Sequence, residues 1–118
     1  MAFIKNRYDK QAQEDGKWFE YDGGKFLLAS ARSTAFLKAY AEVNQEDIDE
    51  DKVADAICKI FKGWEDVMDE DGVTPLECSE DNVKEILLGD PDFGQWVLAT
   101  VVDQDNYKRE IIKAKTKK

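Results

Sequence analysis

Residues 17–29 read KWFEYDGGKFLLA and carry the strongest local signal for the fold. Aromatic and aliphatic residues stand on both sides of Asp22-Gly23-Gly24. A tight turn between antiparallel strands needs positive φ angles, which glycine adopts without a steric penalty. The stretch therefore predicts a β-hairpin. Because an isolated two-stranded ribbon is only marginally stable, and both faces of this one are largely apolar, we expect it to pack against helices.

Helix-capping residues and apolar spacing predict about four helices after the hairpin. Ser33 or Thr34 begins the first helix, and Asp49 caps the second. Ile48 and Val53 flank that second cap at the spacing of a hydrophobic staple. The second helix shows the clearest amphipathic period, weakening at Gly63; its apolar stripe is Val53, Ile57, Ile60, Phe61 and Trp64.

The two remaining helices are bounded by strong local signals. Ser79 is expected to cap the third helix, which ends at Gly89. Asp90 followed by Pro91 is typical of a helix start, because proline is favoured at the first helical position. This last helix is expected to run to about Ile112. The segment between Trp64 and Cys78 is expected to be irregular or extended, with a turn at Asp71-Gly72.

These elements predict an α+β fold that is mainly helical, with an N-terminal β-hairpin packed on a bundle of about four α-helices. The length of 118 residues has room for one domain. We assign residues 17–112 to it. Residues 1–16 are predicted to be a polar arm, partly disordered or adding an edge strand, and residues 113–118 a basic, disordered tail.

The charge balance excludes several classes of function. Seventeen basic and 26 acidic side chains give a net charge of −9, and the chain contains no histidine. A phosphate backbone requires a basic surface, so no nucleic-acid partner is expected. Without histidine, the commonest general base and metal ligand is missing. No catalytic residues, metal or cofactor are therefore predicted.

The distribution of charge favours one alternative function. Between Glu42 and Asp71 the chain has twelve acidic residues and three lysines. Such a concentration of carboxylates is compatible with an acidic DNA mimic that inhibits a nucleic-acid enzyme.

Two local patterns that suggest chemistry have plainer explanations. If Gly72 were position six of a calcium loop, Val67 and Cys78 would occupy positions one and twelve, where oxygen ligands are required. A solvated acidic turn is therefore expected. Cys58 lies on or beside an apolar stripe, where a free thiol packs as a small hydrophobe.

No apolar run approaches the ~20 residues of a membrane-spanning helix, so a soluble intracellular protein without a membrane partner is expected.

Candidate partner-binding residues fall in two groups. Trp64, Val67 and Met68 form an apolar cluster flanked by acids. Tyr107, Ile111 and Ile112 lie at the end of the last predicted helix, where its inward stripe has faded. Exposed, they would be available to a partner or to self-association. The alternative is that they close the edge of the core.

Several short motifs follow one another along roughly residues 17–107. In order they are Trp18-x-x-Tyr21 with its Asp-Gly hairpin, Ala31-Arg32, Gly63-Trp64-Glu65-x-Val67, Asp71-Gly72, Pro75-Leu76, Ser79, Asn82, Phe93-x-x-Trp96-Val97 and Tyr107. This order resembles the tail assembly chaperone family of long-tailed bacteriophages. The resemblance does not extend to the N-terminal arm or to the two cysteines.

The resemblance implies a non-catalytic protein of virion morphogenesis. Such proteins bind the tape measure protein, and with it the tail tube protein, before the tube polymerises. They act in the cytoplasm of the bacterial host and are not expected in the mature virion. In many members a ribosomal frameshift yields a longer product, and Lys117-Lys118 is compatible with a slippery codon run. Shielding an exposed apolar helix from aggregation is the physical task that the resemblance implies.

Overall fold

The structure, a computed structural model, describes residue 3, residues 5–43 and residues 45–109. It confirms the α+β class. The described elements are α1 (Lys10–Asp15), β1 (Lys17–Tyr21), β2 (Gly24–Leu28), α2 (Thr34–Ala41), α3 (Glu50–Cys58), β3 (Phe61–Glu65), α4 (Glu80–Gly89), α5 (Pro91–Val102) and a final 3₁₀ turn (Gln104–Tyr107).

The predicted hairpin is present and forms part of a three-stranded antiparallel sheet of order β1-β2-β3. Tyr21 pairs with Gly24, so Asp22 and Gly23 make the turn. Both turn residues have positive φ angles, 49° and 87°. Glycine tolerates that conformation at no steric cost, and aspartate is among the few other residues that adopt it readily.

The prediction that the second helix continues to Gly63 is wrong. Helix α3 ends at Cys58, and Phe61–Glu65 forms β3, which pairs with β2. The carbonyl of Ile60 accepts a hydrogen bond from the Ala29 amide at 2.8 Å, which extends the ladder beyond the strand. Aromatic side chains favour a pleated surface. The available edge of β2 therefore decides the conformation of a segment whose apolar spacing also suits a helix.

The last helix is also shorter than predicted, ending at Val102 rather than near Ile112. Asp103 stops it, because its carboxylate accepts from the Asp105 amide and starts the 3₁₀ turn instead. Side chains then satisfy carbonyls near the end of α5: Asn106 Nδ2 donates to Thr100 O at 2.8 Å, and Gln104 Nε2 donates to Val101 O at 3.1 Å. These bonds replace the backbone bonds of a further helical turn.

Helix α1 was not predicted, because residues 10–15 carry no apolar stripe. Asp9 caps it by accepting from the Ala12 amide at 3.0 Å. The carboxylate of Glu14, in α1, accepts hydrogen bonds from the Thr34 amide at 3.0 Å and from the Thr34 hydroxyl at 2.7 Å. Ser33 holds the predicted N-cap position of α2, but its own hydroxyl makes no capping bond and is buried without a partner. A carboxylate from another helix thus satisfies the first free amide of α2, whereas a local cap accepts from the second or third.

The remaining predicted caps are confirmed. Asp49, Ser79 and Asp90 accept from the amides of Asp51, Asn82 and Phe93 at 2.9, 3.2 and 3.1 Å. Each such cap stabilises its helix by about 1 kcal/mol. They fix where α3, α4 and α5 begin, and so how these three helices pack beside the sheet.

The two ends of the described chain run together. The amide of Asp9 donates to Tyr107 O, and the amide of Arg109 donates to Arg7 O, each at 2.8 Å. Tyr8 and Lys108 form the bridge between these bonds. Residues 7–15 therefore pack with the rest of the fold, although the sequence pattern predicts a domain that starts at residue 17.

Candidate functional site

Trp64, the first of the predicted partner-binding residues, is half-buried in β3. Its indole Nε1 donates to Leu76 O at 2.7 Å. Its ring meets those of Phe26 and Phe61 edge to face, with centroids 6.2 and 6.3 Å apart. Buried indoles normally find such an acceptor. Trp64 therefore fastens the segment around Leu76 onto the sheet.

Val67 and Met68 begin the loop that follows β3. Val67 is partly buried against the core, and its carbonyl accepts from the Leu76 amide at 2.9 Å. Met68 forms an isolated bridge with Pro75, while 42% of its surface stays exposed. Of the three residues in this cluster, Met68 alone presents its side chain substantially to solvent.

The same loop contains the acidic turn that suggested a calcium site. The Asp71 carboxylate accepts from the Thr74 hydroxyl and from the amides of Val73 and Thr74. The hydrogen bonds from Thr74 hold the pKa of Asp71 below its usual value, with a smaller contribution from the Val73 amide. The Asp71 carboxylate thus stabilises the turn through hydrogen bonds within it, as expected of the solvated turn that the sequence indicates.

Met68 lines a cleft between this loop and α4, which we call the Met68 cleft. Its cavity is about 480 Å³. Met68, Leu76 and Ile86 provide the apolar part of its lining. The polar part consists of Asp69, Glu70, Asn82, Glu85 and Asp90 with the backbone at Gly89. The combination suits an extended aliphatic chain that ends in a positive charge.

Tyr107, from the second predicted group, is fully buried. Its hydroxyl donates to Leu28 O at 3.0 Å, and its ring meets Phe19 edge to face at 6.0 Å. Burial raises the pKa of this hydroxyl. Tyr107 closes the core, which is the alternative that the sequence left open. Ile111 and Ile112 lie outside the described residues.

An aromatic cluster joins the sheet to α5. The ring of Tyr21 stacks on Trp96 with centroids 4.6 Å apart, and Phe93 lies 5.8 Å from Tyr21 and 5.1 Å from Phe26. Burial, with smaller contributions from Asp90 and Asp92, raises the pKa of Tyr21. Such ring pairs stabilise a fold beyond the area that they bury. This cluster fixes the position of α5 against the hairpin.

Sequence reasoning missed an apolar groove between α3, α4 and α5, which we call the α3–α5 groove. Its cavity is about 360 Å³. Ile48 and Val53, the predicted staple pair, both line it, yet 61% of the Ile48 surface remains exposed. The rest of its lining is Glu50, Ala54, Ile57, Leu87, Leu88, Pro91, Gly94 and Leu98. The signal available in the sequence was an isoleucine, Ile48, that stands inside a run of acidic residues.

The two cysteines are free thiols that line one cavity of about 220 Å³. Burial raises the pKa of Cys58 from 9.0 to about 11, with smaller contributions from Asp55 and Glu80, and burial also raises the pKa of Cys78. Since the thiolate is the nucleophile, both are poorly reactive at neutral pH. Within the described part of the chain, no three His, Cys, Asp or Glu side chains are grouped to hold a metal ion.

Among the described residues, every helix is too short or too polar to cross a membrane. Comparisons of the chain with protein-family models, with curated proteins and with solved structures gave no match.

Proposed function

We propose that this chain is a phage tail assembly chaperone, a non-catalytic protein that binds the tape measure protein, and with it tail tube subunits, during tail morphogenesis. It acts in the cytoplasm of the bacterial host and is left out of the finished virion. The observation that carries this proposal is the order of motifs between residues 17 and 107.

The packing of the motif residues supports the proposal. Tyr21, Trp64, Phe93 and Trp96 come from three separate motifs of the resemblance. All four rings lie within about 6 Å of the Phe26 ring or of one another. Residues with a shared structural task are expected to be kept together as a pattern, even where the rest of the sequence changes. The aromatic residues of these motifs therefore share one structural role in this fold, the packing around Phe26.

The Met68 cleft supplies a surface of the right chemistry. A tape measure protein is a long helical chain whose apolar stripes need cover before the tube surrounds it. Met68, Leu76 and Ile86 offer apolar contact, and methionine adapts its shape to different partners. The neighbouring carboxylates favour a stripe that is flanked by lysine or arginine. The net charge of −9 opposes association between chaperone-coated complexes.

Co-expression with the tape measure protein of the same phage tests the proposal. We expect the chaperone to co-purify with it and to raise its soluble fraction well above that obtained with an unrelated acidic protein. The proposal fails if the two proteins do not co-purify and the soluble fraction is unchanged.

A pair of variants in one loop tests the contribution of the Met68 cleft. Met68→Ser removes its methionine, whereas Val73→Ser changes a side chain that is 76% exposed but does not line the cleft. We expect only Met68→Ser to lower the recovery of complex. Equal recovery with both variants would place the contact elsewhere while leaving the co-expression result intact.

The exposed acids of residues 46–51 favour the alternative, an acidic DNA mimic. In the fold these acids belong to the loop before α3 and to its first turn, whereas Asp66, Asp69 and Asp71 belong to the loop after β3. A mimic requires carboxylates at phosphate-like spacing along one ridge. Inhibition of a DNA-binding enzyme at stoichiometric concentration, without any effect on tape measure solubility, would select this alternative.

A further inference from the structure

We infer that the α3–α5 groove is a second docking site, and that its occupant is an amphipathic helix with a leucine-rich stripe bordered by lysine or arginine. The identity of the partner rests on the proposed function. To that function the groove adds a binding surface and the chemistry of the segment that binds there. The surface is separate from the Met68 cleft, since the two share no lining residue among those described.

Exposed apolar side chains are concentrated in this groove. Ile48, Leu88 and Leu98 are 61%, 45% and 38% exposed, and all three line this one groove. Below them, Val53, Ile57 and Leu87 continue the apolar surface toward the core. Three helices with an apolar channel between them form the kind of surface into which a further helix packs. Of the described lining residues Glu50 alone is charged, so the groove lacks the converging polar groups of a small-molecule site.

The groove is also lined by a glycine, Gly94, in the fourth position of α5. A glycine inside a helix destabilises that helix relative to alanine. The fold does not require one here: a Cβ at residue 94 would meet only Leu87 O, at an ordinary 3.9 Å, and Gly94 is not among the glycines with positive φ. What its missing side chain does provide is depth in the groove that it lines. A residue that weakens its helix but opens a groove is expected where something enters that groove.

The charge beside the groove selects its occupant. The segment of residues 46–51 contains Ile48 and five acids without one base. Nearby lysines offset only part of this charge: Lys84 is paired with Asp55 at 3.1 Å and also interacts with Asp51, and Lys52 lines a different cleft, against α2. A basic border on the incoming helix would meet this segment directly. A second copy of the chain would bring its own acidic segment to a symmetric contact, where like charges oppose association.

The probe that tests the groove is a synthetic peptide of about 18 residues, roughly five helical turns. It carries leucines at i, i+3, i+4 and i+7 spacing and lysines on both borders of that stripe. A matched peptide keeps the leucines and replaces every lysine by glutamate. With isotope-labelled full-length protein, we expect the basic peptide to shift amide signals of Ile48, Leu88 and Leu98 and to bind at least about tenfold more tightly than the acidic one. Raising the salt concentration from about 50 to about 300 mM should weaken the binding of the basic peptide.

Four variants separate binding from folding. Gly94→Leu fills the groove from within, and Leu98→Asn removes an exposed apolar contact; each should weaken the basic peptide by about tenfold or more. Leu37→Asn changes a leucine that is 51% exposed on α2, outside the groove, and should leave affinity unchanged. Gly94→Ala should raise the midpoint of thermal unfolding while still weakening the peptide. If Gly94→Leu fails to fold, the affinity of the basic peptide for Leu98→Asn alone tests the inference.

The inference is overturned if both peptides bind equally, if the shifted signals map to the Met68 cleft, or if Leu98→Asn binds as the unchanged protein does. It is also overturned if sedimentation shows a dimer that Leu98→Asn dissociates, because the groove is then filled by a second copy. None of these outcomes uses the tape measure protein. Specific peptide binding without tape measure co-purification would therefore retain the groove and reject the proposed function.

Discussion

At the scale of single residues, Tyr107 shows how one polar atom connects distant parts of the chain. Its hydroxyl donates to Leu28 O, 79 residues away along the sequence, inside a fully buried environment. A buried carbonyl that loses its donor costs more than the hydrogen bond itself contributes. This residue is therefore expected to act on stability rather than on partner binding.

Replacing Tyr107 by phenylalanine should lower the free energy of unfolding by about 1–2 kcal/mol, because Leu28 O is left without that donor. Urea denaturation measures the change. Tyr40→Phe is the control, since that ring is 39% exposed and stacks on Phe36 through its face. A Tyr107→Phe variant as stable as the unchanged protein would show that water or backbone movement satisfies Leu28.

Cys58 gives the molecule a stability that depends on pH. Its pKa is raised from 9.0 to about 11 in the fold, so the unfolded thiol ionises first. The folded state then holds the proton more tightly, and the free energy of unfolding is expected to fall as pH rises from about 9 to about 11. Cys58→Ala should remove about 2 kcal/mol of that decline, which denaturation curves at both pH values would measure. Parallel pH profiles for the two proteins would contradict the burial of this thiol.

At the scale of elements, strand β3 is the part of the fold that the sequence misjudged most. Ile57, Ile60 and Trp64 recur at helical spacing, so the pattern alone favours a continued helix. What the pattern does not contain is the available edge of β2, which is supplied by residues more than thirty positions earlier. Long-range pairing of this kind overrides local preference and is not visible in a short window of sequence.

A matched pair of glycines tests the conformation of this strand. A Cβ added at Gly63 or at Gly23 would meet no neighbouring atom within 4 Å, but of the two only Gly23 has a positive φ, of 87°. Gly63→Val should raise the free energy of unfolding by about 0.5–1 kcal/mol, since valine favours a strand. Gly23→Val should lower it by about 1 kcal/mol or more because of backbone strain. Thermal unfolding would compare them, and stabilisation by valine at both positions would contradict the described turn.

The elements with strong local signals were predicted well. The hairpin was found from Asp22-Gly23, and the starts of α3, α4 and α5 from Asp49, Ser79 and Asp90, because turns and caps depend on neighbouring residues. The end of α5 was missed because Asp103 starts a new turn where the apolar stripe merely fades. Of the candidate site, the sequence identified Met68 but not the cleft around it, which forms only when α4 packs against the loop after β3. The α3–α5 groove likewise needs three helices from different parts of the sequence.

At the scale of the whole molecule, charge is the dominant surface property. The net charge of −9 acts against compaction, since like charges approach one another in the folded state. The ion pairs Lys59–Glu80, Lys84–Asp55 and Lys108–Asp105 each have a largely exposed carboxylate and contribute little individually. Repulsion should therefore outweigh attraction.

Raising the concentration of potassium chloride should raise the urea midpoint of unfolding, because salt screens this repulsion more than it weakens the exposed pairs. The measurement is a set of urea titrations at constant pH over a range of salt concentrations. As a control, the same titrations in a nonionic osmolyte series would separate screening from preferential exclusion. A midpoint that falls with salt would mean that attractive pairs dominate instead.

The backbone pairing of residues 7–9 with residues 107–109 has a consequence for engineering. Because the amide of Arg109 donates to Arg7 O at 2.8 Å, a linker of a few residues would close the backbone into a ring in a chain trimmed to residues 7–109. The polypeptide could then be reopened in the exposed turn at Gly72, giving a circular permutant that keeps every element described above. In that rearranged protein the aromatic cluster and both binding surfaces would remain, while the new ends would emerge beside the Met68 cleft, where a fluorescent reporter would sense an arriving partner.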